Sequence, residues 1–555
     1  MSRPLVYIAG FVALAGCSHQ TPVATATSLP PAADSGREIT ADQQVIQALN
    51  RLTFGPRPGD VLRVRQMGVD RWMAEQLAPD GIEDGATDAF VAHFKTYDLP
   101  VGSLMRDYPQ PQQLVREFKT NRLSDSAAAR MAIDSLRRSQ ARLTTDAQAA
   151  RVARAVMSRR QLDEVMADFW ENHFNVFAGK GGPERYYLAD FDRSVIRPHA
   201  LGKFRDLLGA VAHSPAMLYY LDNWESVADS GQPTLTDRRP FRAGRKVRGL
   251  NENYGRELLE LHTLGVDGGY TQQDVIEVAR AFTGWSIQRP TGEFVFRPEV
   301  HDAGPKQILG VSLPAGRGIE DGEEVLDVVA KHPATARFIA RKLCIRFVSD
   351  SPPPALVDRA AATFTHTDGD IRQVVWTIVT SPEFFSRAAY RVKVKTPFEV
   401  VVSALRAMDA APDSTPRTAQ VIARLGEPIF GHQAPNGYAE TGESWMSAGG
   451  ILGRINFGLA VATNRIPGVS LTTWPLSAEL ATAPRPAQVD GVVSDLLGGD
   501  ASPDTRRILL SGNHPMLASA ATDSTMQDMQ PNKNDLHGLA QVVGLALGAP
   551  EFQRR

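Results

Sequence analysis

The sequence has 555 residues, of which 60 are basic and 62 acidic, so its formal net charge is −2. A nucleic-acid-binding protein usually carries a marked basic excess, and this balance therefore argues against nucleic acid as a partner. The length exceeds what one hydrophobic core usually organises, and it allows either one large lobed domain or two to three domains.

The beginning of the chain is typical of a bacterial secretion signal. Arg3 precedes an apolar run from Leu5 to Ala15, which is too short to span a bilayer as a helix. The next residues complete the sequence Leu14-Ala15-Gly16-Cys17, which resembles a lipobox. We therefore predict a signal peptide over residues 1–16 and a diacylglycerol on Cys17 that attaches the protein to a membrane. The alternative is an ordinary signal peptide whose cysteine lies there by chance.

The composition then divides the rest of the chain. Residues 17–38 are rich in Ala, Thr, Ser and Pro, which predicts a flexible tether. We expect a main helical domain over residues 39–480, and a loop with a terminal helical segment over residues 481–555 that packs on it. Ser18, in the place where an Asp would retain a lipoprotein at the inner membrane, favours the outer membrane of the cell envelope by resemblance to known lipoproteins. Cys344 alone remains after lipidation, so an intramolecular disulfide is excluded.

Apolar spacing predicts a mainly α fold built as a large multi-helix domain. Ile339, Leu343 and Phe347 fit one buried helical stripe, and similar series recur along the chain. Residues 284–312 depart from this spacing, because Phe294 and Phe296 alternate with other residues after a turn. A small β hairpin or meander is expected there.

Proline near the first turn marks several predicted helix starts, because a missing amide costs nothing at that position. These starts are Ser214-Pro215, His332-Pro333, Ser381-Pro382 and His514-Pro515. The His332 side chain is accordingly interpreted as a helix cap.

The densest polar segment begins at Asn251 and reads NENYGRELLELHTLGVDGGYT. On a helix, Asn253, Arg256, Glu257 and Glu260 fall on one face. If that face is exposed, it is an ordinary charged surface; if it is buried, its charges must be paired or bind a ligand. Both interpretations stay open.

Other segments supply further candidates for a site. His301 and Asp302 lie next to each other after the predicted hairpin, as a His-Asp pair that could bind a metal or shuttle a proton. A turn-forming Asp beside a surface His is the alternative. A metal ion is thus kept open as a cofactor. The catalytic candidates are His173, Arg256, Glu257, Glu260 and His262. The substrate-binding candidates are Trp170, Asn251, Asn253, Lys306 and Trp445.

Several familiar chemistries have no motif in the chain. The sequence contains no HExxH, Walker P-loop or GxSxG motif, and it has no cysteine pair for zinc. Glu260 and His262 are only two residues apart and point to different helix faces, so they do not form a ferritin-like ExxH pair.

Taken together, the ordered segments resemble the family called domain of unknown function 1800, from about Ile46 to the terminal PEFQRR. The segments that carry the resemblance are FWENHFNV, NENYGRELLELHTLGV, YTQQDVIEVARAFTGW, HDAGPKQILG, HPATARFIARKL and VKTPFEVVVSALRA. The sequence departs from the usual pattern at Tyr438 and Cys344, where tryptophan is more usual. The resemblance implies a helical fold and an exported protein. It also hints at surface-polymer metabolism, because such genes often accompany a secreted family similar to sulfatases and alkaline phosphatases.

Two functions remain open at this stage. The first is a hydrolase-like enzyme that acts on a surface or imported polymer, with the metal ion kept open as its cofactor. In this enzyme Arg256 would hold an anionic group, and Trp170 or Trp445 would stack on a sugar. It predicts that at least four of its His and carboxylate candidates converge in one pocket. The second is a non-catalytic envelope scaffold or binding protein, whose partner is a polymer or another secreted protein. It predicts polar residues paired with one another or with helix ends, and no open cleft.

Overall fold

Helices account for most of the structure, as the apolar spacing predicts. The computed structural model describes Leu29 and residues 36–120, 127–236, 249–514 and 536–555. The predicted signal peptide, Cys17 and most of the predicted tether lie outside these residues. Within the described part, no helix is both long and apolar enough to cross a membrane.

The first group of helices surrounds the long helix α7. It comprises α1 (Ala41–Leu52), α2 (Asp60–Met67), α3 (Val69–Gln76), α4 (Gly85–Val91), α5 (Val101–Asp107), α6 (Pro111–Thr120), α7 (Ala127–Met157), α8 (Gln161–His173) and α9 (Glu184–Asp190). Helix α8 buries Phe169 and Trp170 completely, so the FWENHFNV segment lies in the core.

The second group contains the segments that the sequence marks as most polar. It comprises α10 (Phe204–His213), α11 (Pro215–Tyr220), α12 (Glu252–Glu257), α13 (Gln272–Ala281), α14 (Glu320–Lys331), α15 (Pro333–Phe347), α16 (Pro354–His366) and α17 (Ile371–Val379). Six-residue π-helical segments follow α9 at Phe191–Ile196 and α12 at Leu258–Thr263. Such segments are rare and often lie at functional sites.

The third group contains the helices from Pro397 onward. It comprises α18 (Pro397–Ala407), α19 (Arg417–Arg424), α20 (Ala448–Ala462), α21 (Ser477–Leu480), α22 (Arg485–Leu496), α23 (Pro503–Ser511), α24 (Gly538–Gly548) and α25 (Pro550–Gln553). Helices α20 and α24 approach closely because glycines face each other: a Cβ on Gly458 would lie 2.7 Å from the Gly544 carbonyl oxygen.

Short 3₁₀ segments connect several of these helices. They are Pro79–Gly81, Arg197–His199, Asn223–Glu225, Pro298–Val300, Gly442–Trp445 and Leu471–Thr473.

The predicted β structure is confirmed as two small antiparallel hairpins. Strand β1 (Trp285–Ile287) pairs with β2 (Phe294–Phe296), with Trp285 opposite Phe296. Strand β3 (Lys306–Ile308) pairs with β4 (Val311–Leu313). The alternation that predicted a strand at Phe294 and Phe296 therefore marks β2.

Helix capping explains several of the boundaries. The Thr396 hydroxyl accepts from the Glu399 amide and the Glu399 carboxylate accepts from the Thr396 amide, so α18 begins with a capping box. His332 caps α15 as predicted, because its ring accepts from the Ala334 amide. The prediction of a helix at Ser381-Pro382 is wrong. Adjacent Phe384 and Phe385 are both fully buried there, and the chain makes successive turns to place both rings inside.

Candidate functional site

The segment that begins at Asn251 lies at the surface end of α12. The Asn251 side chain caps that helix by accepting from the Asn253 and Tyr254 amides, and it donates to the Leu221 carbonyl at 2.7 Å. Asn253 is exposed. The contacts of Asn251 are those of a helix cap.

The charged face of α12 is half-buried and carries local contacts. Arg256 donates to the Gln272 side chain at 2.8 Å, and Tyr270 donates to Glu260 at 3.3 Å. Burial and the neighbouring Glu260 raise the pKa of Glu257. These residues lie together on one face, as the helical spacing predicts.

His173 and His262 lie together in the core, on different elements. Their ring centroids are 6.3 Å apart, and Lys342 donates to His173 Nδ1 at 2.9 Å. His173 Nε2 lies 3.1 Å from the His262 carbonyl oxygen. One neutral tautomer satisfies both contacts, because Nδ1 accepts from the lysine while Nε2–H donates to the carbonyl.

The electrostatics agree with neutral rings in this cluster. Burial first, and then the charge of Lys342, lowers the pKa of His173 well below its usual range and that of His262 to about 3. Burial also lowers the pKa of Lys342 to about 8. Trp170 is fully buried and donates to the Ala200 carbonyl at 2.9 Å, so its ring offers no face to a ligand.

His301 and Asp302 are buried but serve different partners. Asp302 accepts two hydrogen bonds from Arg280, at 2.8 and 3.1 Å. His301 Nδ1 lies 2.8 Å from the Thr283 carbonyl oxygen, and its Nε2 lies 3.4 Å from Asp321. Lys306 donates to Asp321 at 2.5 Å. Across the described ranges, no group of three or more metal-ligating side chains is found.

Trp445 lies in a separate loop. It is half-buried and donates to the Ala439 carbonyl at 3.0 Å. The structure thus brings His173, His262 and Trp170 together, keeps Arg256, Glu257 and Glu260 on a neighbouring face, and places His301, Asp302 and Lys306 in a third group. None of these residues lines the cavities of about 570, 420, 400 and 40 Å³ in the described ranges, so the expected convergence of at least four candidates in one pocket is not found in any of these cavities.

A network of buried ion pairs was not predicted from the sequence. Arg151 pairs with Asp168 and Glu171, both at 2.5 Å. Arg346 pairs with Asp168 at 3.0 Å and with Glu399 at 3.1 Å. We call these five residues, together with Arg555, which lies 3.1 Å from Glu399, the charge network. Its members come from α7, α8, α15 and α18 and from the last described residue.

Burial raises the pKa of two carboxylates around the charge network. Burial raises the pKa of Glu171 well above its usual range, and the charge of Arg151 only partly opposes this. Burial likewise raises the pKa of Glu427 to about 8. Both residues line a cavity of about 40 Å³ beside the network. That volume holds a water molecule or two, so it is too small for a substrate.

A larger cavity lies elsewhere and has a volume of about 570 Å³. It is bounded by α1, the α1–α2 turn, the segment before α18, and the residues that follow α22 and α25. We call it the Lys395 cleft, because Lys395 is a lining residue that is only 5 % exposed. Volumes of this size are typical of small-molecule sites.

Lys395 has unusual surroundings for a lysine. Its Nζ donates to Ser403 Oγ at 3.1 Å and lies 4.2 Å from the centre of the Phe552 ring. No carboxylate among the described residues lies within ion-pair distance of it. Burial, opposed in part by Glu399, lowers the pKa of Lys395 to about 7. A large fraction of its amine is therefore uncharged near neutral pH.

The walls of the Lys395 cleft carry two arginines without ionic partners. Arg57 and Arg554 line it, and neither forms an ion pair within the part of the chain that the structure describes. Four carboxylates also line it: Asp42 pairs with Arg65 at 2.9 Å, Glu551 accepts from the Ser502 amide at 2.8 Å, Asp495 accepts from the Trp474 ring at 3.0 Å, and Asp500 forms no ion pair within the same ranges. Arg57 and Arg554 are therefore the groups of the cleft that can bind an anion.

Sequence reasoning missed Lys395, although it lies in the VKTPFEVVVSALRA segment. One signal was available. Lys395 directly precedes the Thr396 cap of α18, and the amino end of a helix is an unfavourable place for a cation. A lysine at this position is therefore unusual. Its burial, however, depends on residues that are distant in the sequence, such as Phe552, so local spacing does not reveal it.

Comparison with known proteins gives a family. A family model described as "Protein of unknown function (DUF1800)" matches residues 47–554, nearly the whole chain. No curated protein matches significantly, and neither does any solved structure.

Proposed function

The chain belongs to this family of unknown function, so we propose a function from its geometry. The protein is an exported enzyme of the cell envelope, and its Lys395 cleft binds an anionic ligand. The observation that carries the proposal is a lysine, 5 % exposed and without an ionic partner among the described residues, in the wall of a cavity of about 570 Å³. Burial of a charge without a partner is costly, so such a residue calls for a functional explanation.

Binding is supported by the cations of the cleft. Arg57, Arg554 and the protonated fraction of Lys395 can all face a carboxylate or phosphate group, and none of them has a competing ion pair within the described ranges. The fitting ligand is an anionic fragment of a surface or imported polymer, since the cavity of about 570 Å³ admits a few sugar or peptide units but no folded domain.

Chemistry is supported by the uncharged amine of Lys395. A neutral lysine can accept a proton from a reacting group, or it can attack a carbonyl carbon. The Ser403 hydroxyl accepts from that amine and donates to the Val400 carbonyl at 3.1 Å, so Ser403 holds the amine in position. We therefore assign Lys395 as the catalytic residue and Ser403 as a positioning residue.

The location in the envelope is proposed from the lipobox of the sequence. In cells fed with labelled palmitate, wild-type protein should take up the label and Cys17→Ala should not. Ser18→Asp should keep the label but move the protein from the outer to the inner membrane. Uptake of label by Cys17→Ala would contradict the lipid anchor, and an unchanged distribution of Ser18→Asp would contradict outer-membrane sorting.

The reactive amine is tested with pyridoxal 5′-phosphate, an anionic aldehyde. The amine attacks the aldehyde carbon, water leaves, and the resulting imine is fixed by reduction with borohydride. Peptide mapping should find the label on Lys395 at low reagent concentration. Lys395→Arg should abolish that label, and Arg57→Gln should slow it because an anion-binding charge is lost. Labelling spread over exposed lysines, unchanged by Lys395→Arg, would overturn the proposal.

A structural role is the second candidate, and the paired polar residues favour it. His173 pairs with Lys342, Asp302 pairs with Arg280, and Asn251 caps a helix, as a scaffold predicts. The open Lys395 cleft is the feature that a scaffold does not require. The test compares cells that lack the protein with cells that produce either wild type or Lys395→Met at equal abundance. If the protein is an enzyme, Lys395→Met should fail to restore the envelope integrity that wild type restores. Retained function would favour the scaffold.

A further inference from the structure

A second cavity, of about 420 Å³, shares no lining residue with the Lys395 cleft. It is lined by Tyr187, Tyr219 and Trp224, with arginine and glutamine side chains around them; we call it the aromatic groove. We infer that the aromatic groove binds an acidic oligosaccharide. The inference concerns a separate site, so it stands even if Lys395 proves unreactive.

The rings of the aromatic groove come from three elements. Tyr187 lies in α9, Tyr219 in α11, and Trp224 in the 3₁₀ segment Asn223–Glu225. The Tyr219 and Trp224 rings are nearly parallel, 21° apart in plane and 5.8 Å between centres, and Tyr187 lies 6.3 Å from Tyr219. Tyr219 and Trp224 are half-buried and supply the accessible ring surface, whereas Tyr187 is buried beside them. Rings of this kind offer an apolar surface beside a polar group, which matches the C–H faces and hydroxyls of a sugar.

The polar side chains of the groove specify an acidic sugar rather than an apolar ligand. Arg116 and Arg289 are exposed, and neither has an ion pair within the described ranges. The Arg289 guanidinium lies 4.8 Å from the centre of the Trp224 ring, so it is held beside the aromatic surface. Gln110 and Gln112 supply amides for sugar hydroxyls. A guanidinium pairs with a carboxylate through two parallel hydrogen bonds.

A third cavity shares one lining residue with the groove, so we expect a bound sugar chain to extend toward it. Gln112 also lines this adjoining cavity of about 400 Å³, whose wall includes Gly181 and Gly182 and also Arg185. A Cβ at Gly181 would lie 2.6 Å from the Tyr219 hydroxyl oxygen. Glycine at this place therefore lets the Tyr219 hydroxyl lie against the turn that lines the adjoining cavity.

The test measures the binding of tetragalacturonate to the full-length protein by tryptophan fluorescence and by calorimetry. Neutral chitotetraose is the reference ligand. The acidic sugar should bind more tightly than the neutral one. Tyr219→Ala should weaken both sugars by about tenfold or more. Arg289→Gln should weaken only the acidic sugar, and because Arg289 is exposed this variant should fold normally. Arg507→Gln, which changes an exposed arginine outside the groove, is the matched control, and it should leave both affinities unchanged.

Three outcomes would overturn the inference. The first is absence of binding for both sugars at millimolar concentration. The second is equal affinity of wild type and Arg289→Gln for tetragalacturonate. The third is preferential binding of a proline-rich peptide, which also uses grooves lined with aromatic residues and would make the site a peptide site.

Discussion

Lys395 and Glu399 lie about one helical turn apart at the start of α18, and their surroundings are opposite. Glu399 is 3 % exposed and faces Arg346 and Arg555, each at 3.1 Å. Lys395 is 5 % exposed and has only a hydroxyl and an aromatic ring beside it. Both side chains are removed from water, but only Glu399 has oppositely charged partners. The comparison indicates that Glu399 stabilises the fold through its ion pairs, whereas Lys395 is a candidate to bind a ligand.

The largest expected effect comes from breaking the paired region. Arg346→Met removes the guanidinium between half-buried Asp168 and buried Glu399. Because Arg151 and Arg555 remain beside these carboxylates, we expect a loss of about 3 kcal/mol in the free energy of unfolding, at the lower end of the range for a broken buried pair. Urea denaturation measures it. Arg137→Met, which removes an exposed ion pair with Asp134, is the control and should change stability by less than about 1 kcal/mol. Similar values for the two variants would show that the charge network contributes nothing special.

A smaller loss is expected in the second buried cluster. Lys306→Met removes a pair with Asp321 and hydrogen bonds to two carbonyls, but Arg317 remains 3.1 Å from Asp321. We expect a loss of about 2–3 kcal/mol. Burial alone would raise the pKa of Asp321, but hydrogen bonds from His301 and Lys306 outweigh it and lower that pKa. Asp321 therefore stabilises the fold above its unfolded pKa of about 3.9, and this contribution is lost as the pH falls through the lower folded pKa. Asp321→Asn should flatten the acid limb of stability against pH; an unchanged limb would contradict this assignment.

The unpaired Lys395 should make the free energy of unfolding depend on pH. The folded pKa of Lys395 is about 7, below its unfolded value of about 10.4, so the unfolded chain binds more protons between these limits. The stability of wild type relative to Lys395→Met should therefore rise with pH in this window, by up to about 1.4 kcal/mol per pH unit. Urea titrations at several pH values between 7 and 9 measure the difference. A difference that does not vary with pH would show that Lys395 is charged in the folded protein. Lys180→Met, at the surface, serves as control.

The smallest effect is expected at the rim of the Lys395 cleft. Asp42 and Arg65 form a pair at 2.9 Å with side chains 71 % and 53 % exposed, and such pairs contribute less than about 1 kcal/mol. Asp42→Asn should nevertheless speed the labelling of Lys395 by pyridoxal 5′-phosphate, because a negative charge leaves the cleft. The acceleration should shrink at high salt, where charges are screened. Equal rates at low salt would mean that the rim has no influence on anion entry.

Local patterns in the sequence predicted much of the fold. The spacing of Ile339, Leu343 and Phe347 marks one buried face of α15, and all three are buried in the structure. The alternation around Phe294 and Phe296 marks β2, and His332 caps its helix. Each of these features depends on residues within a few positions of one another, so a single sequence contains the necessary information.

The arrangement of the sites could not be predicted in the same way. The charge network joins Arg151, Arg346 and Arg555, and no local pattern relates such distant residues. The π-helical segment Leu258–Thr263 also breaks the regular spacing on which helical faces are assigned. His262 lies in this segment and points to the His173 cluster, while Glu257 and Glu260 remain on the half-exposed side. Whether the predicted residues act on a substrate stays a prediction.

The place of Arg555 in the charge network has a consequence for how the protein is made. Its guanidinium meets Glu399, and its amide donates to the Lys393 carbonyl at 2.8 Å. A growing chain therefore holds Glu399 and Arg346 long before it holds their last partner. The interior around α18 can therefore be completed only after residue 555 has been synthesised.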